Sequence, residues 1–573
     1  MKREPLDTSA DTDSASVSTT SKSADGSSVS VPKDNERKVQ SGLLNSLPDR
    51  AQLEADRLAR RKRTLEDEEK SGDSKRRRTA AVASTPPTPL ISRMFYDGAF
   101  FPTATSHAYS REDGRQAIGF QDILGPASTP DLKLAIVSSY GCSPEWLQSY
   151  FHPAVPVILV AGSGAEESGP SMRNLSDNWV QTCPKLGSGG CMHMKYMVLF
   201  YESGRLRVVI STANLIPIDW KDLENAVFVQ DVYRSSSSNV IGNKLTAESK
   251  QSTSESKVEE SFAKILESVL KATNVAPALE HYKKTKSDLP INSIDDLSKL
   301  WDWSSVTAEL IPSIAGKSEG WGRIMKNGHP RLMRALKTLG LATTDTQNLV
   351  VECQGSSIGM YTTQWFNQFY LSASGHASAL KAHMDISEGR RKKLAYPPGV
   401  KVVFPTLATV KSTEQHGARS LFCTRKKWDG TTFPRAAFHD SESRAGRVLM
   451  HTKVIVHFLA NMIIGSFTPN EDAEEEEQQS SDAAGWMYVG SHNFTSPAWG
   501  NLSGSAAAPV LNVNNFELGV VVPLKTEKEL DNASAWKRPP RKYAAKDLPW
   551  VREMFSFYSG IPELSGMQIM DEN

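Results

Sequence analysis

Short apolar runs separated by polar turns dominate the pattern of hydrophobic and polar positions along this chain. Runs of roughly four to eight residues rich in Val, Ile, Leu and Phe predict buried strands. Such runs lie at 132–137, 155–160, 206–210, 349–352, 401–404 and 486–489. Helical patterns lie between them, for example at 261–272 and 331–337. Strands that alternate with helices predict an α/β fold.

Two apolar runs begin with the same pair of polar residues. His193 and Lys195 precede a run that ends near Tyr201, and His451 and Lys453 precede a second run. Side chains alternate between the two faces of a strand, so each histidine is expected to point the same way as its lysine. Each run therefore predicts one imidazole beside one ammonium group.

An asparagine follows each His-x-Lys pair after one further predicted strand, Asn214 in the first case and Asn493 in the second. A hydroxyl residue stands two positions before each asparagine and a tryptophan six positions after it, namely Thr212, Ser491, Trp220 and Trp499. A strand with an early acidic residue follows, at 224–229 and 517–522. Packing alone gives no reason to repeat such a set, so we interpret it as an internal duplication with one half-site in each copy.

The duplicated set of imidazole, ammonium and amide groups suits a phosphodiester substrate. One imidazole can attack phosphorus and form a covalent phospho-histidine. The other can protonate the leaving oxygen and later activate a water molecule. The lysines and asparagines can bind the non-bridging oxygens, and their fixed charges can do so without a metal ion. The two histidines are equivalent by pattern, so the residues leave open which one attacks.

The repeated His-x-Lys with a trailing Asn resembles the signature of the phospholipase D superfamily. Most members carry an Asp after the Lys, and this chain lacks it in both copies. With that absence and the hydroxyl and tryptophan spacing, the chain is similar to the tyrosyl-DNA phosphodiesterases, in particular to fungal-type members. The similarity runs from about Phe95 to Trp550 and includes the segments 122–124, 145–147, 201–204, 206–210, 355–359 and 516–519.

The resemblance implies a role for each residue of the repeat. His193 is then the nucleophile on the 3′ phosphorus, and His451 is the general acid that later acts as the base. Four residues are then expected to bind the phosphate, namely Lys195, Lys453, Asn214 and Asn493. No cofactor and no metal ion are implied.

The resemblance also implies residues that orient the histidines and residues that contact the DNA backbone. Family members use an acidic residue after the second repeat to orient one histidine, and Glu517 matches it. A glutamine after the first repeat orients the other histidine. The shorter Asn225 stands at that place, so we expect this contact to be lost or shifted, and Glu224 beside it is the alternative. Ser356 and Ser357 match a serine pair that contacts the DNA backbone, although small residues there also suit a plain turn.

The fold implied by the resemblance is two similar α-β-α sandwich domains of phospholipase D type, related by a pseudo-twofold axis. The two half-sites would then close a single pocket. We place the first domain at 89–320 and the second at 321–573. The run at 306–311 is predicted to be the last strand of the first domain.

Residues 1–88 are rich in Ser, Thr, Asp and Lys and poor in aromatic residues, which predicts a disordered N-terminal tail. Basic clusters at 60–63 and 75–78 resemble a bipartite nuclear import signal. A solvated run of charge has the same composition and is the alternative. The basic clusters of the tail therefore predict a nuclear protein, and the tail contains no candidate site residue.

Composition narrows the class of protein further. The chain has 573 residues and a formal net charge of +1, so any DNA-binding surface must be a local patch. Its five cysteines have no regular spacing, which indicates reduced thiols rather than a disulfide framework or a zinc site. We find no signal peptide and no apolar run long enough to span a bilayer, so no membrane contact is expected.

The resemblance implies hydrolysis of the 3′-phosphotyrosyl bond between DNA and topoisomerase I remnants, and of other 3′ blocking groups. The expected enzyme acts in the nucleus as a monomer on single- and double-stranded DNA. A phospholipase D-like nuclease or lipid phosphodiesterase is one alternative, and the missing Asp disfavours a lipid enzyme. An inactive module that binds nucleic acid is another, and two intact His-x-Lys pairs disfavour it.

Overall fold

The computed structural model describes residues 93–554, apart from 109, 126–130, 163–168, 188, 236–260, 344–348, 415–416 and 459–484. These described residues all lie within a single unit of the chain. The predicted tail at 1–88, with its two basic clusters, lies outside the described residues.

The first half of the described chain contributes nine strands. They are β1 (Ala99–Pro102), β2 (Leu132–Ser138), β3 (Val157–Val160), β4 (Ser171–Ser176), β5 (Trp179–Cys183), β6 (Tyr196–Tyr201), β7 (Arg205–Ser211), β8 (Leu223–Glu224) and β9 (Ala226–Tyr233). Eight of them form one mixed sheet in the order β1-β9-β7-β6-β2-β3-β5-β4. The strands predicted at 132–137 and 155–160 are thereby confirmed as β2 and β3.

The second half of the described chain contributes eleven strands. They are β10 (Glu309–Ser313), β11 (Gly316–Glu319), β12 (Val350–Gln354), β13 (Val400–Val403), β14 (Phe438–His439), β15 (Leu449–Met450), β16 (Val454–Phe458), β17 (Gly485–Gly490), β18 (Asn501–Gly504), β19 (Pro509–Val513) and β20 (Glu517–Leu524). Seven of them form a sheet in the order β10-β20-β17-β16-β12-β13-β14. Strands β11, β19 and β18 form a small separate sheet.

The two large sheets have the same topology. Taken along their printed orders, β1-β9-β7-β6-β2-β3-β5 corresponds strand for strand to β10-β20-β17-β16-β12-β13-β14, and β4 is an additional edge strand. The directions agree as well, because β2 and β3 are parallel like β12 and β13. Strands β6 and β7 are antiparallel like β16 and β17. The repeated sequence pattern therefore belongs to a duplicated α/β unit of phospholipase D type.

The prediction that a strand at 306–311 closes the first domain is wrong. Strand β10 pairs with β20, so that Glu309 lies opposite Val521 and Ser313 lies opposite Glu517. In the second sheet β10 is the counterpart of β1, which is the first strand of the first sheet. The division near residue 320 stays a prediction, and this pairing favours a boundary before Glu309.

Helices cover the sheets. Those in the described residues are α1 (Phe120–Leu124), α2 (Pro144–Gln148), α3 (Pro217–Lys221), α4 (Phe262–Ala272), α5 (Val275–Thr285), α6 (Asp296–Leu300), α7 (Trp321–Ile324), α8 (Gly328–Thr338), α9 (Thr363–Ala373), α10 (Ala377–Asp385), α11 (Glu388–Arg391), α12 (Leu407–Ser412), α13 (Arg425–Trp428), α14 (Ser496–Trp499) and α15 (Glu527–Ala533). Helix α4 confirms the pattern predicted at 261–272. The hydroxyl of Ser261 caps it by accepting a hydrogen bond from the Lys264 N–H.

One hydrophobic core contains side chains from both large sheets. Ile136 and Val208 of the first sheet belong to the same buried cluster as Val456 and Val520 of the second. Separate clusters lie on the other face of each sheet, under the helices. Because apolar burial stabilises by roughly 25 cal/mol per Å², this shared core fixes the two halves against each other. The ends of the strands that carry the His-x-Lys pairs are thereby held in register.

Candidate active site

The first half-site lies directly before β6. His193 Nδ1 donates a hydrogen bond to Glu517 Oε2 over 2.8 Å, which assigns the proton of the neutral ring to Nδ1. The ammonium group of Lys195 donates to the carbonyl of His193 over 2.9 Å. Both side chains are almost fully buried, with 4% of His193 and 1% of Lys195 exposed. His193 and Lys195 are therefore both buried in the short segment that precedes β6.

The second half-site lies directly before β16. Lys453 donates to the carbonyl of His451 over 2.8 Å and to His451 Nε2 over 3.0 Å. The other ring nitrogen, Nδ1, lies 3.2 Å from Asp219 Oδ2. That separation is an ion-pair distance, but the N–H direction is not aligned as a hydrogen bond. This histidine therefore faces a cation on one side and a carboxylate on the other.

The backbone joins each half-site to the opposite half of the chain. The N–H of His193 donates to the carbonyl of Phe516 over 2.9 Å, and the N–H of His451 donates to the carbonyl of Glu224 over 2.8 Å. A side chain at Gly190 would collide with the carbonyl of Asn514, so glycine permits this close approach. Such reciprocal contacts are what a pseudo-twofold relation between the halves requires, and they bring the two half-sites together.

Glu517 lies at the start of β20 within a network of hydrogen bonds. Besides His193, it accepts hydrogen bonds from the Ser491 hydroxyl and from the Asn515 amide. Burial raises the pKa of this carboxyl above its ordinary value, while the charge of Lys195 acts in the opposite direction. Glu517 is thus placed where the resemblance predicts it, in contact with the imidazole of the first half-site.

The side chains of Asn225 and Glu224 make their hydrogen bonds with groups other than His451, so the contact expected at the glutamine's place is shifted to another residue. Asn225 accepts a hydrogen bond from the Thr212 hydroxyl and donates to the backbone carbonyl of Asp219, each over 2.8 Å. The carboxylate of Glu224 instead accepts from Arg111 over 2.9 Å and from a serine hydroxyl. The side chain beside His451 is Asp219, because the short arm of Asn225 ends on the backbone of helix α3.

Asp219 is fully buried in α3. Its Oδ2 atom also accepts a hydrogen bond from the N–H of Asn214 over 2.6 Å. Burial by itself would raise the pKa of Asp219, but the proximity of His451 and the Asn214 N–H bring it below its ordinary value. Burial and the positive charge of Lys453 lower the pKa of His451 to about 4, and Asp219 opposes that shift. These shifts favour a neutral imidazole at His451 beside an ionised Asp219.

The two asparagines are anchored by their side-chain oxygens. Asn214 Oδ1 accepts from the Gly141 N–H over 3.2 Å. Asn493 Oδ1 accepts from the N–H groups of Ser356 and Ser357, over 3.1 and 3.0 Å. These bonds turn each carboxamide so that its NH₂ group is the donor that remains for a substrate oxygen. The serine pair thus reaches the site through Asn493, and its contact with DNA stays a prediction.

Tyr140 is a neighbour of the site that the sequence pattern did not indicate. Its ring lies 5.3 Å from the His193 ring, measured between centroids, in an edge-to-face arrangement. The Lys195 ammonium lies 5.9 Å from the centroid of the same half-buried ring. Tyr140 follows β2 at its carboxyl end, where β3 runs parallel to it, and that edge of an open sheet commonly carries ligand contacts.

The described residues also bear on metal binding and on membrane insertion. Within them, no group of three or more His, Cys, Asp and Glu side chains could hold a metal ion. None of their helices has the length and apolar character needed to cross a membrane.

Comparison with known proteins gives the family. The model of the tyrosyl-DNA phosphodiesterase family matches residues 100–554. The chain is 25% identical over 410 residues to tyrosyl-DNA phosphodiesterase 1 of Arabidopsis thaliana. This alignment covers 69% of this chain and 58% of the Arabidopsis protein. The chain is 23% identical over 380 residues to a probable tyrosyl-DNA phosphodiesterase of Caenorhabditis elegans, which covers 64% of this chain and 68% of the relative.

Solved structures of a yeast enzyme have the same fold as this chain. The crystal structure of the yeast tyrosyl-DNA phosphodiesterase superposes with a TM-score of 0.50 at 14% identity, and covers 79% of this chain and all of the yeast chain. A mutant of the yeast enzyme superposes with a TM-score of 0.51 at 13% identity. The paired half-sites, the duplicated sheets and the family match over most of the chain lead to one conclusion. The chain belongs to the tyrosyl-DNA phosphodiesterase family.

Proposed function

We propose that the protein is a DNA-repair phosphodiesterase that hydrolyses the 3′-phosphotyrosyl bond between DNA and remnants of topoisomerase I, and other 3′ blocking groups. This proposal rests on one observation, that each histidine is contacted by residues of the opposite half of the chain. Each buried imidazole has a carboxylate from the opposite half at its Nδ1 atom, and a lysine ammonium lies beside it. Two such imidazoles at one phosphate supply a nucleophile and a general acid.

The first step is attack by His193 Nε2 on the 3′ phosphorus. The Nδ1 proton is held by Glu517, so the lone pair of the neutral ring is on Nε2. A P–N bond forms while the bond from phosphorus to the tyrosine oxygen breaks. The negative charge of the bound phosphodiester, together with Asp219, favours a protonated His451. The free phenol has a pKa of about 10, so its departure is assisted by that proton of His451. The DNA is then attached to His193 as a phosphoramidate.

The second step releases the DNA. His451, now neutral, takes one proton from a water molecule, and the water oxygen attacks phosphorus. The P–N bond breaks, and the electron pair returns to His193 Nε2. The product carries a 3′-phosphate that contains the water oxygen, and both histidines regain their starting protonation once tyrosine has left.

Four side chains stabilise the charge that builds up on the non-bridging oxygens. They are Lys195, Lys453, Asn214 and Asn493. The two lysines are 1% and 0% exposed, so little water screens their charges. Fixed ammonium groups take the place of a metal ion in this scheme, and we propose a metal-independent reaction without a cofactor.

The proposed partners follow from the same chemistry. A DNA 3′ end that carries tyrosine or a short peptide supplies both the phosphodiester and the phenolic leaving group, on single- or double-stranded DNA. Both half-sites lie on one chain, so a monomer suffices. We place the enzyme in the nucleus because its substrate is there and because the tail contains two basic clusters at 60–63 and 75–78.

A single-stranded oligonucleotide with a 3′-phosphotyrosine, incubated with EDTA, tests the proposal. We expect release of tyrosine and an oligonucleotide ending in 3′-phosphate at the same rate with and without the chelator. His193→Ala should abolish the release. His281→Ala is the matched control, because His281 is only partly buried on α5 and plays no part in the scheme. Arrest by EDTA, or cleavage of a phospholipid and not of DNA, would contradict the proposal.

A further inference from the structure

The two half-sites take their carboxylates from different positions of the repeat. Glu517 at the start of β20 has Asn225 as its counterpart, because each lies directly after the residue whose carbonyl binds the opposite histidine N–H. Their hydroxyl partners agree too, since Ser491 bonds Glu517 and Thr212 bonds Asn225. The strand position that supplies a carboxylate in one copy therefore supplies a shorter amide in the other.

Helix α3 supplies the missing carboxylate. Asp219 stands five residues after Asn214, and the same position after Asn493 is occupied by Ala498. Asn225 donates to the backbone carbonyl of Asp219, so the amide supports the helix that carries the acid. The result is one carboxylate for each histidine, on a strand in one copy and on a helix in the other.

We propose that Asp219 is the positioning residue of His451. It holds the Nδ1 proton, so that Nε2 is directed at the leaving oxygen, and it favours the protonated imidazole that the first step requires. The chemistry rests on the function proposed above, while the placement of the carboxylate rests on geometry alone.

The charges around His451 explain why it needs a carboxylate. Lys453 lies 3.0 Å from its Nε2 atom, and Lys195 of the other half-site also acts on it. Both cations and burial lower the pKa of His451, whereas Asp219 raises it. A bound phosphodiester adds a negative charge to the pocket, and together with Asp219 it favours a proton on the imidazole.

One polar atom of each side chain lacks an aligned hydrogen bond, while Asp219 Oδ2 accepts from the Asn214 N–H. His451 Nδ1 and Asp219 Oδ1 are both buried and unpartnered, although Asp219 Oδ2 lies 3.2 Å from Nδ1. A buried polar group without a partner is destabilising, so a small rotation of the ring that aligns the bond is favourable. We expect that alignment when a phosphate draws His451 Nε2 away from Lys453.

Asp219→Asn separates this role from a structural one. The asparagine can still accept the hydrogen bond from the Asn214 N–H, but it carries no charge. We expect single-turnover release of tyrosine to fall about 100-fold, which is within the range for losing acid catalysis. The alkaline limb of the rate against pH should move to lower pH by about one unit, because the variant imidazole holds its proton less tightly.

A second leaving group sharpens the kinetic test. A 3′-p-nitrophenyl ester contains a more acidic phenol, which needs little help from a proton. For this substrate we expect Asp219→Asn to lower single-turnover release less than about fivefold. Equal losses for both leaving groups would overturn the proposal, because displacement of Asn214 would weaken the phosphate site for both. Asp222→Asn, at the C-cap of α3 where the carboxylate contacts His107, is the matched control and should leave both rates unchanged.

A titration that needs no turnover keeps this inference distinct from the proposed function. Histidine-labelled protein bound to an oligonucleotide ending in 3′-phosphate is titrated by NMR, and His451→Gln identifies the signal. We expect the pKa of His451 in Asp219→Asn to lie about one unit below that of the wild type, and Asp222→Asn to match the wild type. An unchanged pKa in Asp219→Asn would overturn the inference, even if the wild type hydrolyses the phosphotyrosyl ester. A wild type that binds DNA but does not hydrolyse it would refute only the proposed function.

Discussion

The two half-sites contain the same three side chains, but their supports differ. His193 makes an aligned hydrogen bond of 2.8 Å to Glu517, and the ammonium of its lysine is bonded to a backbone carbonyl. His451 lies 3.2 Å from Asp219 without alignment, and its lysine also donates to its Nε2 atom. A ring fixed by a strong hydrogen bond suits a nucleophile, whereas a ring between a cation and a carboxylate can change protonation. The difference in support therefore separates the roles that the repeat leaves equivalent.

The largest effect should come from removing one histidine at a time. His193→Ala removes the nucleophile, so we expect the rate to fall by about 10⁴-fold or more. His451→Asn removes only the proton transfer, and we expect a loss of about 10²- to 10³-fold. Rates of tyrosine release from a 3′-phosphotyrosine oligonucleotide measure both. Equal losses in the two variants would contradict the different roles proposed for the two histidines.

The next effect concerns the counterpart positions Glu517 and Asn225. Glu517→Gln weakens the bond to His193 and should lower kcat about 30-fold, because the charged acceptor is lost. Asn225→Ala should lower kcat less than about threefold, since its side chain contacts α3 and not a histidine. Measured kcat values for the two variants test this. A larger loss in Asn225→Ala than in Glu517→Gln would contradict the observed contacts.

Moving the carboxylate from position 219 to position 225 should have a smaller effect on the rate of tyrosine release. In the Asp219→Asn background, Asn225→Glu gives the first copy the longer acid that the second copy has at its strand position. We expect tyrosine release to recover about tenfold, because one carboxylate again faces His451. The same Asn225→Glu change in the wild type should not raise the rate. Failure of the double variant to exceed Asp219→Asn would show that the strand position of the first copy cannot reach the ring.

The smallest predicted effect is on stability in acid. The pKa of His451 and of His457 is lowered to about 4, and that of His329 and of His492 to about 3, in each case mainly by burial. Unfolding returns each ring to a pKa near 6.5, so the unfolded chain binds more protons and the free energy of unfolding falls as the pH drops below 6.5. Each ring should contribute a loss of roughly 1 kcal/mol at pH 5.5.

Urea unfolding at pH 7.5 and pH 5.5 measures this loss. His451→Gln should show a smaller difference between the two pH values than the wild type, by roughly 1 kcal/mol. A control at the partly buried His281, His281→Ala, should show the same difference as the wild type. An identical pH dependence in all three proteins would mean that His451 is not buried as a neutral ring.

Much of the fold and site could be predicted because the relevant information repeats along the chain. Alternation along a strand places His193 and Lys195 together, and the second copy does the same for His451 and Lys453. Strand β10 could not be assigned in this way. It looks like any apolar strand, and only its pairing with β20 places it in the second sheet.

Asp219 shows why the rest of the site was missed. The repeat indicates residues that both copies share, and the position of Asp219 has no acidic counterpart, because Ala498 stands there. Sequence neighbourhood was no guide either, since the backbone carbonyl of Glu224 accepts from the His451 N–H, while the side chains of Glu224 and Asn225 bond to other groups. Contacts between a helix of one half and a strand of the other depend on tertiary packing, which neither spacing nor periodicity reports.

The most direct test is to identify the residue that becomes attached to DNA. His451→Asn is incubated with a 3′-phosphotyrosine oligonucleotide in EDTA, quenched at neutral or alkaline pH, digested with a protease and examined by mass spectrometry. We predict a phosphoramidate that links the 3′ end to the peptide containing His193, and its absence in the His193→Ala/His451→Asn double variant. A 3′ end attached to any other residue, or steady hydrolysis by the double variant, would contradict the account.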